Sequence, residues 1–213
     1  MSWEDIPSWA ADVAASIMLT IKEKDPHTFY HCLRVGRGSR RLAKAAGLNE
    51  FEQAVLEFSG MFHDVGKVGI ADSVLLKPGR LTVEEIEEMK SHTIKSASII
   101  EPLTHIPFFR LLQPGIRYHH EKIDGTGYPY GLEGDKIPMA ARLIAVVDTF
   151  DAMTNTRPYR KALPMEKVKK ELIDFSGTQF DPAFVKTFLE LWPHLGKEKP
   201  EEEVAVARIL KAA

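Results

Sequence analysis

Apolar residues recur every three or four positions along most of the chain, the period of a helix with one buried face. The clearest case is "EFEQAVLEFSGMFH", residues 50–63. Asn49 stands before it as an N-cap, and Gly47 ends the helix upstream. "TVEEIEEM" opens on a capping box, Thr82 with Glu85. Asp181 and Pro182 supply a cap and a first turn for "AFVKTFLELW". "MAARLIAVVDTFDAMT" predicts another helix, mostly buried. No segment alternates with the period of a strand, so the chain is predicted to be all-α. Glycine and proline punctuate three predicted loops: "GIADSVLLKPGRL", "EKIDGTGYPYGLEGDKIP" and "NTRPYRKALP". The final "KEKPEEEVAVARILKAA" predicts one more helix, facing solvent on one side or packed on a partner.

The 213 residues suit one domain with a sizeable core. A composition of 44% hydrophobic and 27% charged residues fits a soluble globular protein. A net charge of -2 argues against broad nucleic-acid binding, so an anionic ligand must be met by a local cluster. The single cysteine, Cys32, excludes an internal disulfide and points to a reducing compartment. No apolar run is long enough to span a membrane and Met1 opens no signal peptide, so the expected location is the cytoplasm.

The candidate chemistry lies in eight histidines. One histidine on a helix is ordinarily a satisfied core or surface residue, but several here share company with carboxylates. In "FSGMFHDVGKVGI", His63 and Asp64 close an apolar stretch. A buried imidazole and carboxylate are costly unless paired or metal-bound. A hydrogen-bonded pair at a helix end explains them as well as a metal does. Gly66 suggests that the helix stops there, leaving Lys67 able to turn toward the same centre. Asp148, inside an apolar helix, needs a cation: a metal, or an arginine such as Arg142. Asp151, one turn on, either orients a metal ligand from behind or bonds within its own helix. In "YHHEKIDGTGYP", adjacent residues on a helix point about a hundred degrees apart. One cation can still accept both His119 and His120 if the helix end tilts toward it. Gly125 and Gly127 would let the backbone approach a bulky ligand. Glu121 and Asp124 read equally as partners of those histidines or as loop caps. Mixed imidazole and carboxylate suits iron, manganese, zinc or nickel.

These segments, with "HCLRV", "SVLLKPGRL", "MKSH", "AARLIAVVDTFDAMTNTRPYRKAL" and "FDP", resemble HD-GYP domains in order and spacing, from about Asp25 to Phe188. HD-GYP domains are a subclass of the HD-domain metal-dependent phosphohydrolases. The resemblance implies an all-α HD-domain helical bundle with a metal site at its centre and a loop-formed GYP segment. It implies a phosphodiesterase that hydrolyses cyclic di-GMP to the linear dinucleotide pGpG, and in some members GMP. Two divalent metals, iron or manganese by expectation, would hold a bridging hydroxide as nucleophile. His31, His63, Asp64 and Asp148 would hold one metal. Asp64, His92, His119 and His120 would hold the other, with Asp64 as the bridge and the centre of catalysis. Lys67 would help position the scissile phosphate, and Arg157 and Arg160 would contact phosphate; relatives often carry lysine at the second of these. Tyr128 of Gly127-Tyr128-Pro129 would help shape the substrate pocket. His27 stands where some relatives place a glutamate for a third metal, and two metals are the expectation. The implied division is 1–24 as an N-terminal helical extension, 25–195 as the HD-GYP domain and 196–213 as a C-terminal helical tail. The residues ahead of Asp25 suffice for one helix only. Regulation is therefore expected from a separate sensory or diguanylate cyclase partner, or from further domains if the chain is a piece of a longer protein. A homodimer is a further open partner state. The alternatives are an HD-type hydrolase of another nucleotide, a catalytically weak signalling module, and a helical bundle whose histidines are incidental.

Overall fold

The computed structural model describes residues 9–155 and 162–191. Its ten α-helices are α1 (Ala10–Lys24), α2 (Pro26–Ala45), α3 (Glu50–Phe62), α4 (Asp72–Leu75), α5 (Val83–Lys90), α6 (His92–Ile100), α7 (Pro107–Tyr118), α8 (Met139–Thr154), α9 (Met165–Asp174) and α10 (Pro182–Leu191). Among the described residues there is no strand, only two isolated bridges, Asp124 with Glu133 and Ser176 with Phe180. The all-α expectation is met.

The predicted caps form. Asn49 accepts from the backbone N–H of Glu52 while the Glu52 carboxylate accepts from that of Asn49. Thr82 and Glu85 make the same reciprocal pair. Asp181 accepts from the N–H of Ala183 at the start of α10. Asp25 caps α2, accepting from the N–H groups of His27 and Thr28 with Pro26 in the first turn. Each cap satisfies donors that a helix start leaves unpaired. The stretch predicted as a loop around "GIADSVLLKPGRL" differs: it contains the single helical turn α4. That turn is too short to show a 3.6-residue pattern. It is fastened from outside, by an ion pair from Lys24 to Asp72 and by the Ala71 N–H donating to Glu88.

The core has two parts. Residues of α1, α2, α3, α6 and α7 form one, including Met18, Phe29, Phe62, Phe109 and Ile116. Residues of α2, α3, α8, α9 and α10 form the other, including Val35, Leu56, Ile144, Val146 and Phe188, with Phe180 of the loop before α10. The helix of residues 10–24 thus places Ala14, Met18 and Ile21 in the same core as α2 and α3. The two central helices touch backbone to backbone. A Cβ on Gly60 would lie 3.0 Å from the Gly36 Cα, and one on Gly36 would lie 2.9 Å from the Glu57 carbonyl oxygen. This crossing brings His31 of α2 beside His63 at the end of α3, their rings 5.2 Å apart.

Candidate metal centre

His31 lies mid-helix on α2, whereas His63 and His119 are the residues that close α3 and α7. His92 begins α6 directly after α5 ends at Lys90 and Ser91. A helix leaves its last four carbonyls without intrahelical partners, and the end-placed histidines use them. Nδ1 of His63 donates to the Gly60 carbonyl at 2.6 Å, Nδ1 of His92 to Met89 at 2.7 Å, and Nδ1 of His119 to Ile116 at 2.8 Å. His31 has no such carbonyl within its helix. Its Nδ1 donates to Asp151 Oδ2 at 2.7 Å instead.

In all four rings the proton therefore sits on Nδ1, and in the neutral imidazole the Nε2 lone pair faces inward. There the lone pairs meet other electron-rich atoms. Nε2 of His92 faces Nε2 of His119 at 3.3 Å. Nε2 of His31 lies 3.0 Å from Asp148 Oδ1 and 3.5 Å from Asp64 Oδ2, and Nε2 of His63 lies 3.4 Å from Asp64 Oδ2. The other Asp64 oxygen, Oδ1, is 3.1 Å from Nε2 of His92. Nε2 of His31, Nε2 of His63 and Oδ1 of Asp64 are buried and lack hydrogen-bond geometry to any partner. A divalent cation fits such a donor set. The ligand atoms gather into two groups, His31 with His63 and Asp64, and His92 with His119 and His120. Asp64 turns one oxygen to each.

Protonation agrees with this arrangement. Burial first, and then His120 and the neighbouring imidazoles, hold His119 well below the usual histidine range. Burial and then His92 bring His120 down to about 3. Both are neutral at pH 7, as metal binding requires. His31 moves the other way: burial opposes its charge, but the carboxylates of Asp148, Asp151 and Asp64 around it together outweigh burial and raise it. Burial would also raise Asp64, yet Lys67, His63 and His92 hold it well below the carboxylate range. Asp148 is likewise held low, against burial, by the close His31 ring and by His63 and His120.

Lys67 follows Asp64 on a 3-10 turn, Val65–Gly69, and its ammonium reaches Asp64 Oδ2 at 2.5 Å. Gly66 is required there, because a Cβ would lie 2.2 Å from the His92 carbonyl oxygen. The site opens into a cavity of about 660 Å³ lined by Lys67, Tyr128, Leu76, Met89, Met153 and Gln179 among others. Tyr128 stacks on His120 with ring centroids 4.7 Å apart. The loop after His120 is tied down by Glu121, whose carboxylate accepts from the N–H groups of Tyr130 and Leu132 at 2.8 and 2.9 Å. Glu121 is thus a loop cap, and so is Asp124, which accepts from Thr126. Gly125 adopts a positive φ of 78°. Gly127 lets the loop press on the chain after His120, since a Cβ would lie 2.3 Å from the Lys122 nitrogen.

Arg142 is not the partner of Asp148; it pairs with Asp181 at 2.6 Å and with Asp135 at 3.2 Å. Six residues apart on α8, Arg142 and Asp148 face different directions. His27 lines the cavity but joins neither ligand group. Arg157 and Arg160 lie outside the described residues, as does the predicted helix at 196–213. Sequence reading missed Arg34, whose guanidinium holds Asp151 from behind. Its place in "HCLRV", one turn after His31, was the available signal.

An all-helical bundle with two His/Asp clusters at its middle defines a divalent-metal-binding protein. Residues 16–184 match the HD domain, and the chain belongs to the HD-domain family. The chain is 40% identical over 168 residues to a cyclic di-GMP phosphodiesterase of Thermotoga maritima, covering 79% of this chain and 45% of that protein. It is 38% identical over 215 residues to a cyclic di-GMP phosphodiesterase of Vibrio cholerae, covering 95% of this chain and 42% of that protein. The chain thus spans less than half the length of these curated relatives. Among solved structures, a cyclic GMP-AMP-specific phosphodiesterase of V. cholerae superposes with a TM-score of 0.66 at 18% identity. It covers 93% of this chain and 53% of that one, a likeness of fold. These findings bear out the HD-GYP resemblance. Among the described residues, no helix is long and apolar enough to cross a membrane.

Proposed function

We infer that the chain is a metal-dependent phosphodiesterase that hydrolyses cyclic di-GMP to linear pGpG, with further hydrolysis to GMP open. The observation that carries this reading is the convergence of inward lone pairs on two groups, with one Asp64 oxygen turned to each. His31, His63, Asp64 and Asp148 would hold one ion, and Asp64, His92, His119 and His120 the other. Iron or manganese is the expected metal, and His27 is kept for a third ion only. Two such ions, when bound, supply water activation at neutral pH and charge neutralisation on phosphate.

The chain's own groups do the rest. Lys67 stands at the cavity wall beside Asp64, placed to pair with a non-bridging phosphate oxygen. Arg157 and Arg160 would add two-pronged contacts to phosphate. Tyr128 fixes the His120 ring on one face and borders the substrate space. The cavity is large enough for a bulky nucleotide ligand. Base preference is the finer question, because the V. cholerae enzyme that shares this fold is specific for cyclic GMP-AMP.

The test is anaerobic turnover of cyclic di-GMP, cyclic GMP-AMP and cyclic di-AMP with iron(II) or manganese(II), with products read by chromatography. Metal-dependent appearance of pGpG, lost in Asp64→Ala, is expected. Turnover of another cyclic dinucleotide alone would reassign the substrate. Metals bound with every substrate intact would leave a signalling module, acting through a sensory or diguanylate cyclase partner.

A further inference from the structure

Arg34 belongs to a conspicuous sequence motif, yet the proposed reaction leaves it without a role. Its guanidinium does not line the cavity. It reaches across from α2 to α8 and grips Asp151 with both prongs, Nε to Oδ1 at 2.6 Å and Nη2 to Oδ2 at 3.0 Å. Asn155 adds a donor to Asp151 Oδ1 at 2.9 Å. The fourth donor is Nδ1 of His31, at 2.7 Å. Asp151 is therefore saturated, with two donors on each oxygen and no rotamer left to explore.

The arrangement is a relay along two helices. His31 and Arg34 lie one turn apart on α2; Asp148 and Asp151 lie one turn apart on α8, and Asn155 follows its last residue. Asp148 meets one ring nitrogen of His31 and Asp151 meets the other. The end-placed histidines take their orientation from backbone carbonyls, which cannot rotate away. His31 depends on a side chain, and a side chain holds a ring only as firmly as it is held itself. We propose that Arg34 is a positioning residue for the metal centre: by clamping Asp151 it fixes the His31 ring with Nε2 aimed at the first of the two ligand groups. This rests on the metal reading of the site and adds to it a residue that touches neither metal nor substrate.

The planar fork is the essential property, because lysine supplies the charge but not two parallel bonds. Partners that orient a metal-bound histidine are worth about 10–100-fold in metal affinity. The experiment is calorimetric titration of the metal-free protein with manganese(II), with melting temperature measured alongside. Arg34→Gln should weaken one of the two binding steps about 10–100-fold and leave the other in place. Arg34→Lys should recover only part of the loss. Arg40→Gln on the same helix breaks a comparable pair, Arg40 with the buried Glu57 at 3.1 Å. It should lower the melting temperature with the manganese isotherm unchanged. Asp151→Asn should weaken the same step as Arg34→Gln, and the double variant should lose little more than either alone, as members of one relay do. Asp151→Asn alone, which leaves Arg34 in place, keeps the question answerable if Arg34→Gln folds poorly. An Arg34→Gln isotherm that superimposes on wild type, or losses that add fully in the double variant, would overturn the proposal. Wild type that binds no manganese would instead overturn the metal reading beneath it.

Discussion

The two ligand groups are built by different means. The group of His92, His119 and His120 is imidazole only, and two of its rings are steered by carbonyls at helix ends. The group of His31, His63 and Asp64 mixes imidazole with carboxylate, and its mid-helix member is steered by Asp151 and, through it, Arg34. A helix end offers free carbonyls; a helix interior has spent them. A metal-binding histidine inside a helix must therefore borrow an acceptor from another element, and it inherits that element's mobility. The first kind of group is vulnerable to backbone shifts, the second to side-chain changes.

Asp64 is a member of one group and turns its Oδ1 to His92 of the other at 3.1 Å, so its loss should erase the contrast. Asp64→Ala is expected to abolish both manganese-binding steps and to reduce turnover by more than about 10³-fold, several kcal/mol of lost charge stabilisation. Metal analysis of protein purified without added metal, together with product chromatography, checks this. One ion retained at full affinity would show that the groups do not share the carboxylate.

A backbone change should strike the imidazole group hardest. Gly66→Ala would press a Cβ against the His92 carbonyl and the Ser96 nitrogen, at 2.2 and 2.3 Å. Overpacking of this kind costs about 1–3 kcal/mol, and chemical denaturation of the metal-free protein should report it. Titration should place the metal loss at the His92 group, the reverse of the pattern expected from Asp151→Asn.

The smallest effect should appear in the acid limb of stability. His119 and His120 are depressed below the ordinary histidine value of 6.5. The unfolded chain thus binds protons that the folded one refuses. The metal-free fold should lose stability as pH falls from about 6.5 toward 3. His31, raised above 6.5, acts oppositely: its contribution is full below that value and is lost as pH rises through its folded pKa. Thermal melts of metal-free His120→Gln should therefore show a flatter acid limb than wild type, and those of His31→Gln an unaltered acid limb but a smaller loss of stability as pH rises above 6.5. Identical slopes in both variants would break the electrostatic side of the comparison.

Much of this was legible in the chain because it is local. The Asn49–Glu52 and Thr82–Glu85 capping boxes span three residues and form as read. The histidines could be singled out because each stands at a recognisable turn or motif. What escaped reading depends on helix crossings. Arg34 and Asp151 are 117 positions apart, and only the contact of α2 with α8 makes them partners. The same crossing showed Asp151 to be the partner of His31. Glu121 could be resolved only once its acceptors were seen to meet Tyr130 and Leu132 across a glycine loop.

The backbone contact between Gly36 and Gly60 has a consequence for heating. Two helices held apart by long side chains can separate by degrees as rotamers shift. Helices that meet at bare backbone have no such slack. His31 and His63 ride on that contact, so their distance cannot drift while the bundle stands. Metal release on warming should then be abrupt and should coincide with global melting, making a bound ion's own signal a thermometer for the whole fold.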